Sequence, residues 1–205
     1  MSPRHQMRVT AAWRMARRTA SSAWRLPWTS LMMAMQSLTA AYSIGVSRLI
    51  QFVVVGRLRP PLADAGAEFE KRIARMADLQ VHEVAAEPVQ HGDDQVFRRE
   101  GDRMRAKVAQ GAHVVAMDSR GTAPASSEAL ASWMGRRLED ARPTCFFIGG
   151  AIGLDPSLAA DADEVMSLGP LTLPHQLARV VLAEQVYRSL ADLAGHPYPR
   201  AGGAR

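Results

Sequence analysis

The chain has 205 residues, 47% of them hydrophobic, which is enough for one packed domain with an appendage, and a formal net charge of +5. Six of its 25 basic residues, Arg4, Arg8, Arg14, Arg17, Arg18 and Arg25, lie within residues 1–47, which hold no lysine and no acid; the 19 that remain face all 20 acids, a net of −1. The basic balance therefore sits in the leading segment and does not mark the rest as a nucleic-acid surface. A single cysteine, Cys145, excludes an internal disulfide and a multi-cysteine metal site, and within an apolar run it reads as a buried core thiol of a cytoplasmic protein.

Residues 1–47 are open to three readings. Leu26 to Ser47 carries no charge and is long enough to cross a bilayer, although Thr29, Ser30, Gln36, Ser37, Thr39 and Ser43 interrupt it. The arginine-rich, acid-free composition also suits a transit or export signal. The favoured reading is a disordered or non-native extension, with one domain over 48–205.

From residue 48 the elements alternate. Leu49 to Val55 is a buried-strand pattern ending at Gly56, and the stretch after Pro60-Pro61 to Met76 is helical, with Phe69, Ile73 and Met76 on one stripe. Leu79 to Val84 alternates as a strand with one solvated face, and Gln90 to Asp94 is a polar loop. Val96 to Val108 is a helix with Phe97, Met104 and Val108 inward. His113 to Met117 is a third strand, closed by Asp118, Ser119, Arg120 and Gly121. Ser126 or Ser127 caps a helix to about Leu138. A fourth strand runs into Phe146-Phe147-Ile148, a short helix follows Pro156, Val165 to Leu168 is a brief strand, and a long helix spans His175 to Ala194. Strands alternating with helices predict an α/β fold: a mostly parallel sheet covered on both faces.

The glycines after the fourth strand, in FFIGGAIGLD, invite a nucleotide reading that their context denies. The pattern GGAIG is not G-x-G-x-x-G, it follows the fourth strand rather than the first, and the acids after it stand too close for a ribose contact. No phosphate loop and no G-x-S-x-G is present. The six histidines show no metal-ligand spacing, so no metal is expected. A second unusual segment follows, SLGPLTLPHQLARVVLAEQVYRSL at 167–190, where an apolar loop ends at Pro174 and His175 opens the last helix. Two loops at the carboxyl ends of parallel strands, 149–153 and 168–174, are expected to converge on one crevice.

IGGAIGLD, the block from Ser167 to Leu190 and the terminal GHPYPR strongly resemble the ribosomal RNA large subunit methyltransferase H family, of the SPOUT superfamily, over about 48–200. The resemblance implies a homodimer with a C-terminal trefoil knot. It implies methylation of N3 of a pseudouridine in helix 69 of 23S ribosomal RNA, on the assembled ribosome, with S-adenosylmethionine as cofactor. Carried onto this sequence, cofactor-binding positions fall on Met117, Gly149, Gly150, Leu168, Gly169, Pro170, Leu171, Thr172 and Leu173. The RNA side and its chemistry fall to His175, Tyr198 and Arg200, with His175 either a proton acceptor or only a helix-start residue. Pro199 stands where the family usually has histidine. On this reading Gly149→Val blocks the ligand space and leaves the fold largely intact. The final helix, apolar almost all round, is expected to meet a second subunit along one side. The alternative is a ribosome-binding protein that keeps the fold without turnover.

Overall fold

The structure is a computed structural model and describes residues 48–196. The expectations for residues 1–47, Tyr198 and Arg200 lie outside the described residues.

Five parallel strands form one sheet, β1 Leu49–Val55, β2 Asp78–Val84, β3 His113–Thr122, β4 Thr144–Ile148 and β5 Glu164–Met166, in the spatial order β2-β1-β4-β3-β5. Six helical segments connect or cover them, among them α1 Leu62–Ala74, α2 Asp93–Arg105, α3 Ser127–Glu139, α4 Pro156–Asp161 and α5 His175–Leu193; the sixth is a single 3-10 turn at Val89–His91.

The sheet divides its side chains by the period-two rule. Ile50, Phe52 and Val54 of β1 and Phe146 and Ile148 of β4 face α1, α3 and α5 through Ile73, Met134, Leu182 and Val186. Val53 and Val55 of β1 and Cys145 and Phe147 of β4 face the other way, onto Met104 of α2 and Leu158 of α4. Phe52 and Phe146 meet edge to face, 5.8 Å between ring centres. Strands buried on both faces read as continuous apolar runs, and each such side chain contributes roughly 1.5–3 kcal/mol. Gln51 alone breaks the run in β1. Its amide donates to Gln80 Oε1 at 3.1 Å and its carbonyl oxygen accepts the Ala109 N–H at 2.8 Å, so the buried polar group is satisfied. The Cys145 thiol is buried, and burial pushes its pKa up to about 12, which makes it inert.

Three elements depart from the sequence reading. The second helix starts three residues early and ends at Arg105, and its buried stripe is Val96, Glu100, Gly101 and Met104 rather than Phe97, Met104 and Val108. β3 does not close at Met117. It continues to Thr122 across a register shift, and Thr122 pairs with Met166 of β5. The last helix does have two buried sides, but α1 and α3 of the same chain supply them, and no residue from His175 to Ala191 is exposed. Nor is the helix wholly apolar. Arg179 is buried on it, with Nε 3.0 Å from Glu70 Oε1 and Nη1 2.7 Å from Glu83 Oε1. Burial of this helix therefore gives no argument for a second subunit. Among the described residues no helix is long and apolar enough to cross a membrane.

Candidate functional site

The loops at the carboxyl ends of β4, β3 and β5 enclose a crevice of about 840 Å³. β4 leads directly into its floor. After Ile148 the chain makes a tight turn in which the Gly150 N–H donates to the Gly153 carbonyl at 3.1 Å and the Gly153 N–H returns to the Gly150 carbonyl at 3.2 Å. Gly153 holds a φ of +98°, which L side chains rarely adopt. A Cβ on Gly149 would overlap the Gly153 carbonyl, and one on Gly150 would stand 2.9 Å from both Glu100 Oε2 and Val55 Cγ1. The glycines are thus required first by the turn's own backbone and by what lies beneath it. Gly149→Val consequently strikes the fold as well as the crevice, contrary to the expectation from sequence.

Glu100 supports the turn from below. It is almost fully buried, its Oε1 accepts the Glu87 N–H at 2.8 Å, and burial raises its carboxyl pKa.

The late loop is anchored by Ser167, buried at the end of β5. Its N–H donates to the Thr122 carbonyl at 3.2 Å, its hydroxyl donates to the Gly169 carbonyl at 2.6 Å, and its oxygen accepts the Gly169 N–H at 3.2 Å. Gly169 is consumed by this knot of local bonds, with φ at +140°. Leu171, beyond it, is 76% exposed at the crevice mouth.

On the β3 side the strand's extension brings Asp118, Ser119 and Arg120 onto the rim. Asp118 accepts the Arg120 backbone N–H at 2.8 Å, Nε at 2.9 Å and Nη2 at 2.7 Å. Those guanidinium bonds outweigh its partial burial, which acts the other way, and hold the Asp118 carboxyl below the usual carboxylate range.

Of the residues expected from sequence, Met117, Gly149, Gly150, Leu168, Leu171, Thr172, Leu173 and His175 line this one crevice. Gly169 and Pro170 belong to the same loop but not to the lining, and Tyr198 and Arg200 are outside the described residues. Sequence reasoning missed Phe97, which turns into the crevice instead of the core, and the Asp118–Arg120 pair, which had read as a closing turn. The aspartate and arginine at the end of an apolar strand were the available signal. His175 opens α5 directly after Pro174; burial first, and then the charge of Arg59, lower its pKa from the ordinary histidine value.

The walls are mainly apolar, with Met117, Ile148, Met166 and Leu173 among them, and Asp118, Ser119, Thr172 and His175 add polar groups. Such a lining suits a partly apolar ligand fixed by a few polar groups. The lining's single arginine is already committed to an aspartate, which does not suit a polyphosphate. Among the described residues no group of three or more His, Cys, Asp or Glu side chains is placed to hold a metal ion.

A family model described as "Predicted SPOUT methyltransferase" matches residues 49–199. The chain is 42% identical over 153 residues to ribosomal RNA large subunit methyltransferase H of Nitrosospira multiformis, a match covering 72% of this chain and 96% of the relative. It is 43% identical over 155 residues to the protein of that name from Acidiphilium cryptum, covering 75% and 94%. Among solved structures, a probable methyltransferase from Bordetella pertussis Tohama I aligns at 16% identity and a TM-score of 0.46, over 76% of this chain and 99% of that one. An AdoMet-bound rRNA methyltransferase from Sinorhizobium meliloti aligns at 16% identity and a TM-score of 0.39, over 72% and 59%.

Proposed function

The chain belongs to the SPOUT methyltransferases and, within them, to the ribosomal RNA large subunit methyltransferase H family; from that premise we propose that it methylates N3 of a pseudouridine in helix 69 of 23S ribosomal RNA on the assembled ribosome, with S-adenosylmethionine as methyl donor. The observation that supports the reading is the crevice. Its volume of about 840 Å³ lies in the range of small-molecule sites, and its apolar walls, with the lining's one arginine held by Asp118, fit a cofactor with an adenine, a ribose and no phosphate. Met117, Gly149, Gly150, Leu168, Leu171, Thr172 and Leu173 would hold the cofactor, with Gly169 and Pro170 setting the loop's path. When bound, the cofactor supplies a methyl group made electrophilic by its sulfonium.

The rest of the chemistry falls to the chain's own groups. N3 must lose its proton to accept a methyl group, and His175, whose pKa burial and then Arg59 lower, is the group placed to take it. Tyr198 would stack on the target base and Arg200 would hold a phosphate or the base edge. A homodimer completes the site in this reading. Val181 of α5, half-buried in the single chain, is its test position: Val181→Glu gives monomers by sedimentation, since a charge pressed into an apolar contact is costly.

Methyl transfer from labelled S-adenosylmethionine to intact ribosomes and to protein-free 23S RNA tests the proposal. Transfer to ribosomes that is lost on truncation after Gly195, with cofactor binding spared, supports it. Equal transfer to naked RNA, or full activity of the truncated protein, contradicts the composite site.

A further inference from the structure

One charged group outside the crevice lining, beside the head of α5, has no binding role so far. Arg59 lies in the connection from β1 to α1, just past the carboxyl end of the sheet. Its backbone N–H donates to Gln176 Oε1 at 2.9 Å, and its carbonyl accepts the N–H groups of Leu62 and Ala63 at 2.9 and 3.1 Å. The residue is therefore fixed by its main chain against the head of α5. Its side chain is exposed, and no carboxylate stands within ion-pair distance of it among the described residues.

The arginines around it are matched. Arg57 lies 3.5 Å from Glu83, Arg179 bonds both Glu70 and Glu83, and Arg120 is held by Asp118. His175, next to Gln176, lines the crevice on one side and a narrow cleft shared with Gly56, Arg57 and Arg179 on the other. An unmatched guanidinium held close to a titratable ring disfavours protonation of that ring in the empty protein, and an anion that joins them relieves the penalty.

We propose that Arg59 binds a backbone phosphate of the RNA strand that enters the crevice, and that its bond to Gln176 sets that phosphate beside His175. The inference rests on the methyltransferase reading and specifies the RNA side of its site. A phosphate here also does a second thing. It offsets the Arg59 field and favours the imidazolium, so His175 binds a proton more readily once RNA is in place than before. Proton acceptance is thereby coupled to substrate.

The test uses the full chain. Affinity for intact ribosomes is measured against salt for the wild type, Arg59→Gln and Arg75→Gln, the last an exposed arginine at the far end of α1, by the opposite edge of the sheet. One phosphate contact contributes roughly 0.7–0.9 to the slope of log affinity against log salt. Arg59→Gln is expected to flatten the slope by about one and weaken binding about threefold to tenfold, with Arg75→Gln like the wild type. Calorimetry with S-adenosylmethionine is expected to be unchanged in Arg59→Gln. In proton NMR titrations the His175 imidazole pKa rises in Arg59→Gln, and an RNA hairpin carrying the target loop raises it in the wild type but not in the variant. If Arg59→Gln keeps the wild-type slope and affinity while binding cofactor normally, the inference alone is overturned. If the wild type binds cofactor but no ribosome at any salt, the RNA reading falls and this inference with it.

Discussion

The two ends of the sheet are built on opposite principles. At the amino edge the polar groups are used up on one another. His113 Nε2 meets Glu164 Oε1 at 2.8 Å, Trp133 Nε1 donates to Glu164 Oε2 at 2.9 Å, and Asp163 accepts the Val114 N–H at 2.8 Å. Arg142 closes the set, donating to the Gly111 and Ala112 carbonyls and to Asp163 at 3.0 Å. Among the described residues, His113 Nδ1 is the one buried side-chain polar atom without a hydrogen bond, 3.7 Å from Asp163 Oδ1. At the carboxyl edge the loops bond mostly to themselves, leaving a crevice, an exposed Leu171 and an unmatched Arg59. A parallel sheet gathers its loops at the carboxyl ends, where ligands bind. One edge fastens the strand starts, and the other is left open around the crevice.

That contrast can be broken residue by residue. The largest effect is expected where the open edge is also structural: Gly149→Val should lower stability by about 3 kcal/mol or more and abolish cofactor binding, because the new Cβ meets main chain that cannot move aside. Chemical unfolding and calorimetry read the two losses together, and a stable variant that merely binds cofactor less well would mean the turn yields. At the amino edge, Glu164→Ala should cost about 1–3 kcal/mol, since it strips His113 Nε2 and Trp133 Nε1 of their shared acceptor, with cofactor affinity unchanged. Leu173→Arg should do the reverse. Cofactor affinity falls at least about tenfold, close to 1.4 kcal/mol, while the melting temperature moves little.

The smallest effect concerns pH. The His175 pKa is lower in the folded chain than in the unfolded one, by burial and then by Arg59. As pH falls the unfolded chain takes up this proton first. The contribution of His175 to stability is therefore full above the ordinary histidine pKa and is lost as pH falls through the folded value. Arg59→Gln should move that loss to higher pH and reduce it, seen as a smaller drop in unfolding midpoint between about pH 8 and about pH 5. An identical drop in both proteins would remove Arg59 from the environment of His175.

Much of this was legible in the sequence, for reasons that differ along the chain. β1 and β4 are buried on both faces, so their apolar runs could be nothing else, and the strand-to-loop junctions at Gly149 and Leu168 marked the crevice. β3 misled because Asp118-Ser119-Arg120-Gly121 has turn composition, yet the strand continues. Gly121 passes so near β5 that a Cβ would stand 2.7 Å from the Val165 carbonyl oxygen. In α2, hydrophobic periodicity chose Phe97 for the core. The inward position belongs instead to Glu100, because a buried loop N–H at Glu87 needs an acceptor there. Periodicity counts apolar residues and cannot see a polar group that is buried to satisfy another. Gly169 stands aside from the lining for a similar reason, its N–H and carbonyl both taken by Ser167.

The most direct test of the account is a calorimetric titration of S-adenosylmethionine into the wild type, Leu173→Arg and Glu164→Ala. The account expects saturable binding by the wild type, at least about tenfold weaker binding by Leu173→Arg, and wild-type affinity in Glu164→Ala despite its lower stability. Absence of binding by the wild type, or equal loss in both variants, would contradict the placement of the cofactor at the carboxyl edge.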